Sequence, residues 1–176
     1  QKHHHFFRHK EINGIYLSVF LMHLADGMIS IFIPIYLYSL HYSLFYIILF
    51  CSLGNFFSVL IAWPSIKIIG KIGAKHAMLI STPFLIFYYL GLKAMPSAPY
   101  LFFILPVIIA IRSSLYNYSF GWNFMSHADK KKIGSKISIL NLAVLFSSVL
   151  APLAAGLIIT QFGYKILFGF GSILLL

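Results

Sequence analysis

Long apolar runs are the feature that most constrains the fold of this 176-residue chain. A helix needs roughly 20 apolar residues to cross the hydrocarbon core of a bilayer, at about 1.5 Å per residue. Five runs reach that length, and a sixth begins near Ile166 and is cut short at Leu176. Because backbone at membrane depth must satisfy its own hydrogen bonds, each run is expected to be helical. The predicted helices are residues 15–40, 44–66, 77–95, 100–125, 137–160 and 166–176.

The composition supports an all-α, polytopic membrane helix bundle over residues 15–176. The chain is 60% hydrophobic and 9% charged, and a soluble domain of this size has too little interior for so much apolar surface. A β-barrel would need shorter segments with strict alternation, which are absent from the sequence. A signal peptide is the alternative for the first run, and it is disfavoured because that run is too long and contains Asp26 and Pro34.

Lysine and arginine are distributed unevenly between the two sets of loops. Residues 1–14, 67–75 and 130–136 contain ten of them, and the loops on the opposite side contain only Lys93 and Lys165. The positive-inside rule therefore predicts a cell-membrane protein with a cytoplasmic N-terminal tail at residues 1–14. This distribution also explains the net charge of +10 without nucleic acid as a partner, and it predicts contact of the lysines with lipid headgroups.

The sequence lacks the signatures of the common enzymes and cofactor sites. It has no phosphate-binding glycine loop, no metal-binding helix motif and no serine elbow. The one cysteine, Cys51, excludes a disulfide framework within the chain. No enzyme activity, cofactor or metal is therefore predicted.

The loop between the second and third runs carries a recognisable pattern of glycine and basic residues. Within residues 66–75, Lys71, Gly73 and Lys75 match the cytoplasmic signature loop of the major facilitator superfamily, whereas Gly70 stands where that family usually has an aspartate. Arg112 in the fourth run lies where the family often has an arginine.

Residues 151–156, with Ala151, Pro152 and Gly156, are similar to the family's glycine–proline motif of helix five. With the lysine-rich loop at 129–134 and the turn at 161–165, these matches occur in the family's order. The chain thus resembles the N-terminal six-helix half of a major facilitator superfamily transporter. The resemblance implies a fragment that lacks the C-terminal six-helix half, which we expect as a partner of the bundle.

Two charged residues lie deep in predicted helices: Asp26 and Arg112. Asp26 is eleven residues from the start of the first run and Arg112 twelve from the start of the fourth, so both lie about 16–18 Å from opposite faces. A charge at that depth normally faces a partner or a wet cavity. Asp26 is interpreted as a site for a proton or a cation, and a static ion pair is the alternative. His23 is a further candidate because it precedes Asp26 by three residues and shares its helix face.

Four other polar side chains fall within apolar runs. Each is a candidate for contact with a substrate in a central cavity, and hydrogen bonding between helices is the alternative for each. They are Asn55, Tyr116, Asn117 and Asn141.

These observations predict a secondary active transporter that moves a small solute by alternating access and is coupled to a proton or another ion. The substrate would be a small molecule, and the lipid bilayer the surrounding medium. The alternative is a membrane-embedded enzyme or a non-transporting subunit of a membrane assembly.

Overall fold

Helices account for almost all of the structure, a computed structural model that describes residues 19–127, 133–164 and 166–168. No strand occurs in those segments, which confirms the all-α prediction. Five helical spans within them are long and apolar enough to cross a membrane: Val19–Ser39, Leu44–Ile72, Ala74–Ser97, Leu101–Ser126 and Ile137–Phe162. The predicted N-terminal tail, the lysines at 130–132 and residues 169–176 of the sixth predicted helix lie outside the described residues.

The helices are numbered here in chain order. Residues 19–30 form α1. The others are α2 (Ile33–Ser39), α3 (Leu44–Ile72), α4 (Ala74–Ala94), α5 (Leu101–His127) and α6 (Ile133–Phe162), and a 3₁₀ turn at Met95–Ser97 follows α4.

The first span is broken near its middle, where one continuous helix was predicted. Residues 31–32 form a turn between α1 and α2, and Pro34 lies in the first turn of α2. Proline has no N–H to donate and its ring clashes with the carbonyl four residues earlier, so a helix that continues through it is weakened. The amide of Phe32 bonds instead to the carbonyl of Ile29, at 3.0 Å.

The second and third spans are joined more tightly than predicted. Helix α3 continues through Pro64 to Ile72, and α4 begins at Ala74, so Gly73 alone separates them. Gly73 has φ +84°, a backbone conformation that glycine adopts without strain. Hydropathy located only the apolar part of α3, because a helix extends past the hydrocarbon when its lysines reach the headgroups. Lys67 lies in this extension, and its Nζ is 3.5 Å from the ring centroid of Trp63.

Helix α5 is central to the packing, since it contacts both α3 and α4. A Cβ on Gly91 of α4 would collide with the side chain of Leu105 of α5, so glycine sets the close approach of these two helices. Helix α1 approaches α6 in the same way: a Cβ on Gly27 would lie 3.0 Å from the Cβ of Ala151.

Large apolar side chains cover the outer surfaces of α3 and α6. Phe56, Val59, Phe146 and Leu153 are each more than half exposed. A soluble protein rarely exposes so many apolar residues together, whereas lipid-facing helices do so normally. The chain is therefore a multi-pass membrane protein.

Candidate functional site

The two deep charges predicted from the sequence are brought together between α1 and α5. Arg112 Nη1 lies 3.5 Å from Asp26 Oδ2. The Arg112 side chain is 6% exposed and the Asp26 side chain 36% exposed. Asp26 lies within the span Val19–Ser39, and Arg112 lies near the middle of the span Leu101–Ser126. The structure thus places one accessible carboxylate against one buried guanidinium inside the apolar region.

A third side chain, from α4, completes this contact. The hydroxyl of Tyr89 donates a hydrogen bond to Asp26 Oδ1 at 3.3 Å, and Tyr89 itself is 1% exposed. Each oxygen of Asp26 therefore has its own partner, one neutral and one charged. Sequence reasoning did not select Tyr89, because nothing in the apolar run distinguishes it from the adjacent Tyr88.

Both oxygens of Asp26 have partners, whereas one of the donor atoms of Arg112 has none among the described residues. Its guanidinium carbon lies 5.0 Å from the ring centroid of Tyr116, one turn further along α5, within the range of a cation–π contact. Its Nε atom is buried and has no hydrogen-bond partner among the described residues. Buried donors are nearly always paired, so an unpaired one at a charged group points to a ligand or water at that position.

His23 lies on α1, three residues before Asp26, and is partly buried. Residues at this spacing share one side of a helix, so His23 and Asp26 extend from the same side of α1.

The family of the chain was tested by comparison with known proteins. The sequence profile described as Major Facilitator Superfamily matches residues 15–176. The chain belongs to the Major Facilitator Superfamily. The match confirms the resemblance inferred from the loop and helix motifs, and it identifies the chain as a transporter-family protein. No curated protein and no solved structure matched it.

The superfamily's signature loop corresponds to the junction of α3 and α4. Gly70, Lys71 and Lys75 are exposed there, and a Cβ on Gly70 would meet no atom within 4 Å. Gly73 ends α3 with its positive φ and precedes the first residue of α4. The glycine that matches the superfamily pattern is thus the one that the tight turn requires.

The segment at residues 151–156, which resembles the superfamily's helix-five motif, lies at the contact of α6 with α1. Ala151 is fully buried against Gly27, the neighbour of Asp26. Pro152 lies inside α6, and Gly156 has room for a Cβ. The motif therefore packs α6 against the part of α1 that carries the carboxylate.

The four polar candidates for the cavity do not share one location. Tyr116 contacts Arg112, as described above. Asn55 donates from Nδ2 to the carbonyl of Cys51 in its own helix, at 3.0 Å. Asn117 and Asn141 are exposed.

Proposed function

We propose that this chain is one half of a proton-coupled secondary active transporter, in which Asp26 takes up and releases the proton. The other half would be a second six-helix bundle, and the two would alternate access to a site at mid-depth. The protein would lie in the cell membrane with its N-terminus and lysine-rich loops in the cytoplasm. The observation that carries this proposal is the Asp26–Arg112 contact, with Asp26 accessible and Arg112 buried.

Accessibility of Asp26 argues for a water-filled path rather than a static structural pair. An ionised carboxylate in contact with lipid tails costs about 2.5–3.5 kcal/mol on insertion scales. A side chain that is 36% exposed at mid-depth is therefore expected to face an aqueous cavity or the second half of the protein, not lipid. Through such a path protons reach Asp26.

Asp26 has a partner on each of its two oxygens, Arg112 on one and the Tyr89 hydroxyl on the other. The other titratable groups near the pair are His23 on α1, Tyr88 on α4 and Tyr116 on α5. Because the Asp26 side chain is partly exposed, it can exchange a proton with water that reaches it.

Loss of the charge on Asp26 would weaken the link between α1 and α5. The remaining constraints on α1 include the Gly27–Ala151 contact with α6 and the hydrogen bond from Ser147 Oγ to the carbonyl of Phe20, at 3.0 Å. The turn at residues 31–32 divides the first span, so α1 has a point at which it can tilt independently of α2. Protonation is thereby connected to a rearrangement of α1.

The test is Asp26→Asn in the full-length protein reconstituted in liposomes. Uptake driven by a proton gradient should fall at least tenfold, while exchange of labelled for unlabelled cargo without a gradient continues. The matched control is His41→Asn, which removes a titratable group from the exposed turn after α2 and should leave both activities unchanged. Gradient-driven uptake by Asp26→Asn at the wild-type rate would refute the coupling role.

Orientation is tested by labelling with a membrane-impermeant maleimide in a Cys51→Ser background. Lys75→Cys and Ser97→Cys lie at opposite ends of the third span. In intact cells only Ser97→Cys should be labelled, and labelling of Lys75→Cys instead would reverse the proposed topology.

A further inference from the structure

The side of α5 that carries Arg112 contains buried polar atoms that the protein leaves without partners. In the described residues these are Nε of Arg112 and Oγ of Ser119, seven residues later. Seven residues are two helical turns, so the two atoms lie on one side of α5, about 10 Å apart along its axis. Arg112 is 5% exposed, so its unpaired donor has little access to bulk water.

Asp26 does not use every donor edge of the Arg112 guanidinium. Asp26 occupies Nη1, whereas the unpaired Nε lies on a different edge of the guanidinium plane. Arginine binds a carboxylate best through two parallel N–H donors on one edge. A cargo carboxylate at the Nε edge would therefore not need to displace Asp26 from Nη1.

Charge balance favours such a cargo, on the basis of the coupling role proposed for Asp26. With Asp26 ionised, the pair is neutral. When Asp26 accepts a proton, Arg112 is left as a buried cation with no counter-charge among the described groups that face it, which are His23, Tyr88, Tyr89 and Tyr116. A monoanionic cargo restores neutrality, whereas a neutral cargo leaves a net charge at mid-depth.

Proton uptake and cargo binding would then depend on one another. Two ionised carboxylates at one guanidinium repel each other, so the cargo favours the protonated form of Asp26 and the proton favours binding of the cargo. The loaded and empty sites carry the same charge, and transport of one proton with one carboxylate is electroneutral.

The aromatic residues beside Arg112 indicate the shape of the cargo's body. The rings of Tyr116 and Phe120 are stacked, with their centroids 6.0 Å apart and an angle of 14° between their planes. The rings of Phe120 and Phe124 are stacked in the same way, with a centroid distance of 6.1 Å and an angle of 19°. The row begins at the guanidinium of Arg112 and continues along α5 at intervals of four residues, with each ring about 40° further around the helix. Planar aromatic surfaces stack favourably on such rings.

We propose that the cargo is a small aromatic monocarboxylate, with its carboxylate on the Nε edge of Arg112 and its ring against Tyr116 and Phe120. Arg112 would recognise the charge, and the stacked rings the planar body. Ser119 would offer its unpaired hydroxyl to a polar substituent or a water further along α5.

The experiment measures proton movement and membrane current in liposomes that contain the full-length protein. Benzoate is the probe, benzamide its neutral counterpart of the same shape, and cyclohexanecarboxylate its non-planar counterpart. Protein-free liposomes give the passive entry of undissociated benzoic acid and of benzamide. Above that background, benzoate should drive proton influx without net current, and labelled benzoate should be taken up at least tenfold faster than labelled benzamide. Cyclohexanecarboxylate should be transported several-fold more slowly than benzoate.

Two variants assign these preferences to residues. Phe120→Leu should remove the preference for benzoate over cyclohexanecarboxylate, whereas Phe56→Leu, a matched change on the exposed side of α3, should preserve it. Arg112→Lys keeps the charge but loses the two-donor edge, and should raise the benzoate concentration for half-maximal transport at least tenfold. If Arg112→Lys is not produced in folded form, the benzoate–benzamide comparison in the unaltered protein still tests whether the cargo must carry a carboxylate.

The outcomes separate the cargo class from the coupling role. If benzoate is not transported, or benzamide moves equally well, the carboxylate assignment is wrong even where Asp26→Asn uncouples uptake of another solute. If cyclohexanecarboxylate matches benzoate, the aromatic part is wrong. If benzoate is carried but Asp26→Asn leaves its proton influx unchanged, the cargo class stands and the proposed coupling role fails.

Discussion

Helix α5 makes a neutral polar contact with α3 and an ionic contact with α1. Against α3, the contacts are neutral and small: Ser58 Oγ lies 3.4 Å from Ser113 Oγ, and Ser114 Oγ donates to the carbonyl of Ser58 at 3.4 Å. Against α1, the contact is the Asp26–Arg112 pair at 3.5 Å. The first is a contact of hydroxyls in close-packed helices, and the second a contact of oppositely charged groups.

The difference shows how polar residues at membrane depth are to be interpreted. The α3 contact has additional local bonds, from Ser58 to the carbonyl of Gly54 and from Ser113 to that of Ala110, so its hydroxyls are satisfied within their own helices. Such contacts hold helices together with no change of state. The α1 contact includes an unpaired donor and an accessible acid, and the proposed roles in proton coupling and cargo binding rest on these two features.

The largest expected effect comes from removing one charge of the pair. Arg112→Leu leaves the Asp26 carboxylate without its cation, and breaking a buried pair typically costs about 3–5 kcal/mol. Because Asp26 is partly exposed, we expect the lower end of that range. Thermal unfolding in detergent should show a clear drop in midpoint. The double variant Asp26→Asn/Arg112→Leu should recover much of the loss. A double variant that is no more stable than Arg112→Leu would show that Arg112 stabilises the bundle by packing.

A smaller effect is expected at the neutral partner of Asp26. Tyr89→Phe removes one hydrogen bond to the carboxylate, at 3.3 Å, and should cost about 1 kcal/mol and reduce proton-driven uptake less than tenfold. Tyr88→Phe is the matched control, since it removes a hydroxyl from the adjacent buried tyrosine. Equal effects of the two variants on uptake would mean that the Tyr89–Asp26 bond has no special role.

The smallest effect is expected in the α3 contact. Ser114→Ala removes the hydroxyl that bonds to Ser58, and hydrogen bonds between membrane helices average about 0.6 kcal/mol. Uptake should remain unchanged while the unfolding midpoint shifts slightly. A loss of transport in Ser114→Ala with unaltered stability would contradict the distinction between a structural contact with α3 and a functional contact with α1.

Much of the fold was predictable because membrane helices follow from length and hydropathy. The five spans were located by their apolar runs, and the depth of Asp26 and Arg112 followed from counting residues along them. Two details differ from the prediction: α3 continues past Pro64 to Ile72, and the first span is broken at residues 31–32. Hydropathy detects residues in contact with lipid tails, so it does not show where a helix continues beyond them. It also does not detect a break in a helix when the residues at the break are apolar.

The sequence by itself determined that this chain spans a membrane, that it belongs to a family of transporters, and that two opposite charges lie at a common depth. Only the tertiary structure decided what surrounds those charges. Tyr89 rather than Tyr88 bonds to Asp26, the ring of Tyr116 lies against the guanidinium of Arg112, and Nε of Arg112 has no partner in the described residues. Depth is a property of one helix and follows from its residue count. Contact depends on how each helix is rotated about its axis, and that rotation is set by packing with neighbours distant in the chain, such as Ala151 against Gly27.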